Sequence, residues 1–243
     1  MIDQDLENRW NKKKSQIQNL SNQIQKVRLN ITKDLKGEND KDRLTALVVA
    51  IMDKTAERVG NDDSAQNGHY GITGIKKKHL IINGNEVVLK YVAKSGVKQD
   101  KKILDDKIAQ ALKRAIAESP SDDVFVTKDG FKISNDRVNR YLSKFDVSAK
   151  DLRGYFANKS IVKKLEEKDL PKDQKERKKV FSEVLKGVAE KLGHGKGTLK
   201  NHYLIPEVEI NYIEKANIIN LSNKDSYEVG GAINNFNYEI GGL

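Results

Sequence analysis

The chain contains no cysteine among its 243 residues. Disulfide bonds, thiolate nucleophiles and cysteine-ligated zinc sites are therefore excluded. Histidine is scarce as well, and none of the 4 histidines has the spacing of a metal ligand set: His69, His79, His194 and His202. The paired aspartates at 62–63 and 122–123 are sequence neighbours, which point apart on regular structure. We interpret these acids as solvated and expect no metal and no other cofactor.

The chain also lacks long apolar runs. No stretch of 18 apolar residues is present, so no membrane-spanning helix is expected. The first residues, Met1–Glu7, have no signal-peptide character. We therefore expect a protein of the cytoplasm, associated with the nucleoid, or a viral or phage protein acting in its host's cytoplasm. A phosphate-binding P-loop is absent too, because Gly197 follows Lys196 where that motif requires Ser or Thr, and no nucleotide cofactor is expected.

Positive charge is in excess. The 45 Lys and Arg outnumber 35 Asp and Glu, giving a formal charge of +10 and a pI near 9.4. Such an excess favours a polyanionic partner, either nucleic acid or an anionic membrane face. A lysine-rich surface without such a partner is an equally good interpretation of the charge alone.

The N-terminal part of the chain is predicted to be helical. Residues 4–36 carry apolar side chains at helical spacing among Lys, Gln and Asn, which indicates a polar helix with one apolar stripe. A second helix is predicted from about Leu44 to Val59 and stops at Gly60 and Asn61. Arg58 then falls on its buried face, where a permanent charge needs an anionic partner. An internal carboxylate and a bound phosphate are about equally good candidates.

Alternating apolar residues replace the helical period in the next segment. Short strands are predicted at 70–75, 79–82, 86–92 and 97–103, with turns at 83–85 and 93–96. These strands predict a small antiparallel sheet of three to four strands within about 70–103. Lys94 stands at the tip of a hairpin, from which it could reach into a groove. An ordinary exposed turn lysine is the better supported alternative from spacing alone.

The chain becomes helical again after about residue 100. Helices are predicted over 105–118, 134–144, 148–167 and 173–192. Ser148 and Asp151 have the spacing of a capping box. Arg153 follows within two turns, where the helix start also favours an anion. A surface arginine paired with Asp151, or with an acid elsewhere in the chain, is the slightly better alternative. We therefore predict a mainly α fold with a small antiparallel β-sheet (α+β).

Three regions are predicted along the chain: an N-terminal helical arm over 1–39, a catalytic domain over 40–214, and an Asn- and Gly-rich tail over 215–243. The tail repeats Tyr227-Glu-Val-Gly-Gly as Tyr238-Glu-Ile-Gly-Gly. We expect a flexible extension, and a strand-forming or partner-binding peptide is the alternative.

The most informative motif lies near the C-terminal end. Leu192-Gly193-His194 is followed by a short loop rich in Gly and Lys, and then by Tyr203. Phenols ionise near pH ~10, so a nucleophilic tyrosine needs cations around the group that it attacks. Tyr203 is a better candidate than Tyr212, which lacks the same interval from His194.

These motifs together resemble the catalytic domain of type IB DNA topoisomerases, especially the short poxviral and bacterial forms. The resemblance is carried by Asp53-Lys-Thr-Ala-Glu-Arg58-Val-Gly-Asn, Tyr91-Val-Ala-Lys94-Ser-Gly, Lys150-Asp-Leu-Arg153-Gly-Tyr-Phe-Ala, and Leu192-Gly-His194 with Tyr203. The resemblance spans roughly residues 6–214, and the five motif residues follow one another along the chain in the family's order, Arg, Lys, Arg, His and Tyr. The resemblance implies the DNA breaking-rejoining fold that topoisomerases share with tyrosine recombinases.

The resemblance also implies a role for each motif residue. Tyr203 would attack a DNA phosphodiester and form a 3′-phosphotyrosyl link. Arg58 and Arg153 would hold the non-bridging oxygens, and His194 would donate to one of them. Lys94 would protonate the leaving 5′-oxygen. Strand rotation and religation would then relax supercoils without ATP or metal.

Double-stranded DNA is the expected partner, and the protein is expected to be monomeric. The lysines near these motifs and on the predicted sheet are candidate DNA contacts: Lys76, Lys77, Lys78, Lys90, Lys150, Lys196 and Lys200. Family members usually carry a further N-terminal domain that closes over the duplex, and this chain begins almost at the catalytic domain. We therefore expect weaker and more salt-sensitive DNA binding than a full clamp gives.

Two alternative functions stay open at this stage. A tyrosine recombinase or integrase would share the fold, the nucleophile and the interval between His194 and Tyr203. Recombinases usually have a histidine three residues before the second arginine, whereas this chain has Lys150, as topoisomerases do. The other alternative is a DNA-binding module of the same fold that does not cleave.

Overall fold

The computed structural model describes residues 4–60 and 68–221. Its helices, in chain order, are α1 (Gln4–Leu35), α2 (Asp40–Thr55), α3 (Asp106–Glu118), α4 (Asn135–Ser143), α5 (Ala149–Glu166), α6 (Gln174–Lys191), α7 (Lys196–His202) and α8 (Pro206–Lys215). Its strands are β1 (Leu80–Asn83), β2 (Glu86–Val92) and β3 (Lys98–Leu104). The repeated sequence at 227–231 and 238–242 and the aspartates at 62–63 lie outside the described residues. The mainly α fold with a small sheet is confirmed.

The apolar stripe of α1 is part of the larger of two hydrophobic cores. Leu20, Ile24, Val27 and Ile31 are buried against α2 and α5. Each such side chain contributes roughly 1.5–3 kcal/mol when it is fully buried. The C-terminal half of the helix is therefore packed against the rest of the fold.

The second hydrophobic core joins α5, α6, α7 and α8. Phe181, Val184 and Val188 of α6 pack there against Ile161 of α5 and Tyr212 of α8. The apolar stripe that the sequence predicts for α6 is thus confirmed as a buried face. Because α7 lies over this core, the end of α7 has a fixed position relative to α5.

Helix α2 ends earlier than the sequence predicts. Ala56 adopts the left-handed conformation with φ 55°, and its N–H donates to the carbonyl of Met52. The prediction that the helix continues to Val59 and carries Arg58 on its buried face is therefore wrong. Arg58 lies in an irregular segment that follows the helix, where its side chain is only half-buried.

The sheet has three antiparallel strands in the order β1-β2-β3. Leu80 pairs with Leu89, and Val92 pairs with Lys98. The strand predicted at 70–75 is absent: residues Ile72–Gly74 form a turn of 3-10 helix, and Tyr70 makes one isolated bridge to Ala93.

Backbone packing explains the missing strand. A Cβ on Gly71 would lie 2.3 Å from the Cα of Gly60. The N–H groups of Ile72 and Thr73 donate to the carbonyls of Arg58 and Val59 at 2.9 and 2.8 Å. The segment after Gly71 therefore pairs with the chain around Arg58 and leaves the sheet edge.

The predicted helix starts in the second half of the chain are confirmed. Ser134 caps α4 by accepting from the N–H of Arg137. Ser148 and Asp151 form the capping box at the start of α5. The loop predicted before Tyr203 is wrong in part, because Lys196–His202 form α7 despite Gly195 and Gly197.

Candidate active site

A cavity of about 270 Å³ opens where the end of α2, the β2–β3 turn and the start of α5 meet. Four of the five residues predicted to be catalytic line it, from distant parts of the sequence: Arg58, Lys94, Arg153 and Tyr203. Lys150 lines it as well, whereas His194 is not among its lining residues. No carboxylate is found among the described residues that line it. A cavity lined by several cations and by no described carboxylate is suited to binding an anion.

Arg153 is the most deeply buried cation of the site, with 4% of its surface exposed. Its Nη1 donates to the carbonyl of Ala56 at 2.7 Å, and its Nη2 donates to the carbonyl of Leu192 at 3.1 Å. A surface pair with Asp151 is therefore not formed, because that carboxylate bonds to Ser148 instead. Neutral carbonyls orient the guanidinium without neutralising its charge, and its buried Nε has no hydrogen-bond partner among the described residues.

Arg58 lies beside Arg153. Burial, and then the charge of Arg153, lower the pKa of Arg58 from its usual value. No carboxylate hydrogen-bonds to Arg58 within the described parts of the chain, although Glu57 and Tyr91 act on it electrostatically from a greater distance. Two guanidinium groups in one partly desolvated cavity repel each other, and an anion between them would relieve that repulsion.

The position of His194 follows from the end of α6. Gly193 has φ 64°, its N–H donates to the carbonyl of Glu190, and the N–H of His194 donates to Ala189. This is the Schellman arrangement, which needs a left-handed residue and so favours glycine. The motif Leu-Gly-His thus sets the direction in which the imidazole leaves the helix.

Both ring nitrogens of His194 face arginine donors. Nη2 of Arg153 lies 2.8 Å from Nε2, and Nη2 of Arg58 lies 3.3 Å from Nδ1. Burial, followed by the charges of Arg153 and Arg58, lowers the pKa of His194 to about 4. The neutral ring has one N–H and one acceptor nitrogen. The neutral ring can therefore accept from only one of the two arginines, and its other nitrogen carries an N–H.

Tyr203 follows directly after α7, and its ring lies against the same group of cations. Its centroid is 5.1 Å from that of the His194 ring, and Cζ of Arg153 lies 5.8 Å from the Tyr203 ring. The ring is half-buried and lines the cavity. The structure therefore places the predicted nucleophile beside the predicted anion-binding groups.

Lys94 is exposed on the turn between β2 and β3, which takes the form of a short 3-10 helix, Lys94–Gly96. Gly96 has φ 74°, and the N–H of Ala93 donates to the carbonyl of Val97 at 2.7 Å. The predicted hairpin tip is confirmed. Its lysine lines the same cavity as Arg58 and Arg153.

Asn158 is a site residue that sequence reasoning missed. It is fully buried in α5, its Nδ2 donates to the carbonyl of Tyr203 at 2.8 Å, and its Oδ1 accepts from the N–H of Ile205 at 2.9 Å. The amide therefore fixes the backbone of Tyr203 and of the residues that follow it. A single Asn within a helix carries no signal of such a role in the sequence.

The N-terminal helix also reaches this region. Nζ of Lys13 donates to the carbonyl of Asn201 at 2.9 Å, and Lys14 pairs with Glu207 at 2.8 Å. Burial, and then the nearby charge of Lys150, lower the pKa of Lys13. These lysines tie α1 to the helices on either side of Tyr203, a contact that the polar pattern of α1 does not reveal.

The lysines predicted to contact DNA have different surroundings. Lys76, Lys90 and Lys200 pair with Asp123, Asp100 and Glu209. Lys77 donates to the carbonyl of Ser119 and Lys196 to the hydroxyl of Ser182. Lys78 is exposed, and Lys150 is exposed beside the cavity. Within this set, only Lys150 lines the cavity.

The described ranges contain no group of three or more side chains able to hold a metal ion. No described helix combines the length and apolar character needed to cross a bilayer.

His79 is packed edge-on against Tyr70, with ring centroids 4.6 Å apart, and its Nδ1 accepts from the N–H of Lys76. Its role is therefore structural.

A family model described as "Eukaryotic DNA topoisomerase I, catalytic core" matches residues 5–222 of the chain. The chain is also 26% identical over 181 residues to DNA topoisomerase 1B of Acanthamoeba polyphaga mimivirus. That alignment covers 68% of this chain and 54% of the viral protein, so the chain spans about half the length of this relative.

One solved structure with a similar arrangement is XerH site-specific recombinase bound to difH substrate, in a pre-cleavage complex. Its sequence identity to the chain is 17%, and its TM-score is 0.49. The superposition covers 77% of this chain and 51% of that one.

Proposed function

Because the chain belongs to the family of the eukaryotic DNA topoisomerase I catalytic core, we propose that it is a type IB DNA topoisomerase. It relaxes supercoiled duplex DNA by cutting one strand, letting the strand rotate, and rejoining it. The single observation that carries this proposal is the cavity in which Tyr203 lies beside Arg58 and Arg153 with no carboxylate among the described lining residues.

Cleavage exchanges one phosphodiester bond for another. The phenolic oxygen of Tyr203 attacks phosphorus, its proton passes to water, and the bond from phosphorus to the 5′-oxygen breaks. The ammonium group of Lys94 gives a proton to that 5′-oxygen, which leaves as a hydroxyl. Religation is the reverse reaction, in which the 5′-hydroxyl attacks phosphorus and the phenol is released. The number of phosphoester bonds is unchanged, so the cycle needs no ATP.

The phosphoryl group gains negative charge on its non-bridging oxygens during attack. The forked donors of Arg58 and Arg153 match that geometry, and their mutual repulsion falls when an anion enters. The neutral ring of His194 adds one N–H donor without adding a further charge to the pair. These donors provide the charge stabilisation that a metal ion gives in other phosphoryl-transfer sites.

The proposal is tested with supercoiled plasmid in buffer that contains EDTA and no ATP. We expect relaxation, and we expect denaturant-resistant protein–DNA adducts attached at Tyr203. The Tyr203→Phe variant should form no adduct and relax nothing. Site-dependent strand exchange would instead favour a recombinase, and DNA binding without nicking would favour a non-cleaving module.

A further inference from the structure

A buried carboxylate lies directly behind the site and has no part in the chemistry described above. Glu57 precedes Arg58 in the chain and has 2% of its surface exposed. The hydroxyl of Tyr91 donates to its Oε2 at 2.6 Å, and Nζ of Lys101 lies 3.3 Å from its Oε1. A buried carboxylate is unfavourable unless it is paired and hydrogen-bonded, so this set of partners is a specific arrangement.

Tyr91 connects the carboxylate to the turn that carries Lys94. It lies on β2, three residues before Lys94, and is 6% exposed. Burial, and then the charge of Glu57, raise the pKa of Tyr91, so the phenol keeps its proton and acts as the donor. The bond between Tyr91 and Glu57 therefore joins the root of the Lys94 turn to the segment of Arg58.

Lys101 connects the same carboxylate to the helix that ends at His194. It lies on β3, and its ammonium group also donates to the carbonyl of Lys191. Lys191 is the last residue of α6, three residues before His194. The chain segments of Arg58, Lys94 and His194 thus meet at a single buried carboxylate.

We propose that Glu57, Tyr91 and Lys101 are positioning residues that set the distance of Lys94 and His194 from Arg58. The inference rests on the proposed function, because it assumes that Lys94 supplies the proton to the leaving oxygen. Lys94 is exposed and has a long flexible side chain, so its reach depends on where the base of its turn is held. A displacement of about 1 Å at a reacting group is enough to lower a rate substantially.

The inference predicts that loss of the Tyr91 hydroxyl impairs protonation of the leaving group more than the other steps. This is tested with two DNA duplexes that differ in one atom at the site where the wild-type protein forms its adduct. One has the natural bridging 5′-oxygen, and the other has sulfur there. A thiolate leaves without prior protonation because thiols ionise near pH ~8.5. The sulfur duplex therefore reports on attack, while the oxygen duplex reports on attack and protonation together.

Tyr91→Phe is compared with Tyr141→Phe, which removes another buried hydroxyl, the acceptor for Asn30 at 2.7 Å, from α4 outside the cavity lining. For Tyr91→Phe we expect cleavage of the oxygen duplex to fall roughly tenfold, part of the ~10²–10⁴ that general acid catalysis supplies. Cleavage of the sulfur duplex should stay within about twofold of wild type. Tyr141→Phe should leave the ratio of the two rates unchanged.

Equal losses on both duplexes, or no loss on either, would overturn the positioning role while leaving the proposed function intact. Failure of the wild-type protein to cleave either duplex would instead overturn the proposed function, and this inference with it. Glu57→Gln provides a second test, since it keeps an acceptor for Tyr91 but removes the ion pair with Lys101. The ratio of oxygen to sulfur cleavage should fall less for Glu57→Gln than for Tyr91→Phe.

Discussion

Nη2 of Arg153 lies 2.8 Å from Nε2 of His194, so a permanent cation is in contact with an imidazole that burial and neighbouring charge keep neutral. Protonation of this ring would place a third positive charge between two arginines. Because Arg153 and His194 are in contact, protonation of His194 should affect both the stability of the folded protein and the binding of an anion in the cavity.

The first prediction concerns pH. The pKa of His194 is lowered to about 4 from its ordinary value of 6.5, so between these values the unfolded chain binds a proton that the folded protein does not. The free energy of unfolding should therefore decrease as pH falls from 6.5 towards 4. Urea unfolding of wild type and His194→Gln across this range measures the effect, which should be smaller in the variant. Equal pH dependence of the two proteins would contradict it.

The second prediction concerns Arg153. Arg153→Lys keeps the charge but cannot reach the carbonyls of both Ala56 and Leu192 with one planar fork. We expect adduct formation to slow by about 10²-fold or more. Arg140→Lys, at an exposed position on α4, is the control and should react like wild type. A rate for Arg153→Lys within a few-fold of wild type would show that the carbonyl bonds are dispensable.

The third prediction concerns Asn158. Asn158→Ala leaves the carbonyl of Tyr203 and the N–H of Ile205 without their hydrogen-bond partner. The free energy of unfolding should therefore fall by about 1–3 kcal/mol. Cleavage should slow even under conditions where the variant is fully folded, because the backbone of Tyr203 is no longer fixed. Asn30→Ala, which removes a side-chain bond to Tyr141, should cost stability without this loss of rate. Rates measured on folded protein, with stability from urea unfolding, separate the two effects.

The fourth prediction concerns the contact between Gly60 and Gly71. A methyl group on Gly71 would lie 2.3 Å from the Cα of Gly60 and must push the two segments apart. Gly71→Ala should therefore lower both the melting temperature and the cleavage rate, because the same segment positions Arg58. Gly187→Ala is the matched control, since its Cβ meets no atom within 4 Å and helix propensity favours Ala by about 0.5–1 kcal/mol. A Gly71→Ala protein as stable as wild type would refute the predicted clash.

The fifth prediction concerns Lys150, the exposed lysine of α5 that lines the cavity. If it contacts a DNA phosphate, Lys150→Ala should weaken binding to all sequences and reduce the slope of log K against log salt by about 1. Lys163→Ala removes another lysine of the same helix, one that pairs with Glu167, and should leave the slope unchanged. Binding titrations at several salt concentrations measure both.

Much of the fold could be predicted from sequence because the features that predict a helix, its apolar spacing and its capping residues, lie within or next to that helix. The apolar stripe of α6 and the caps at Ser134 and Ser148 predict helices at the observed places. The end of α2 could not be predicted, because Ala56 takes a left-handed conformation and its carbonyl accepts from Arg153 far along the chain. The strand predicted at 70–75 does not form for a similar reason, since the backbone after Gly71 pairs with residues 58–59.

The residues of the candidate site also divide into those that could be predicted from sequence and those that could not. Arg58, Lys94, Arg153, His194 and Tyr203 could be proposed because a resemblance to type IB topoisomerases, confirmed by the family match, identifies their motifs. Asn158, Lys13 and Glu57 could not, because each acts through a hydrogen bond or ion pair to a residue distant in sequence. Only coordinates reveal such pairs.

The two carbonyl contacts of Arg153 also bear on biosynthesis. A ribosome makes the Ala56 end of this arrangement early and the Leu192 end late, and Tyr203 later still. A nascent chain therefore has no oriented guanidinium and no nucleophile until nearly all of the described polypeptide has emerged. The enzyme proposed here would become able to nick a genome only once it has the complete means to reseal it.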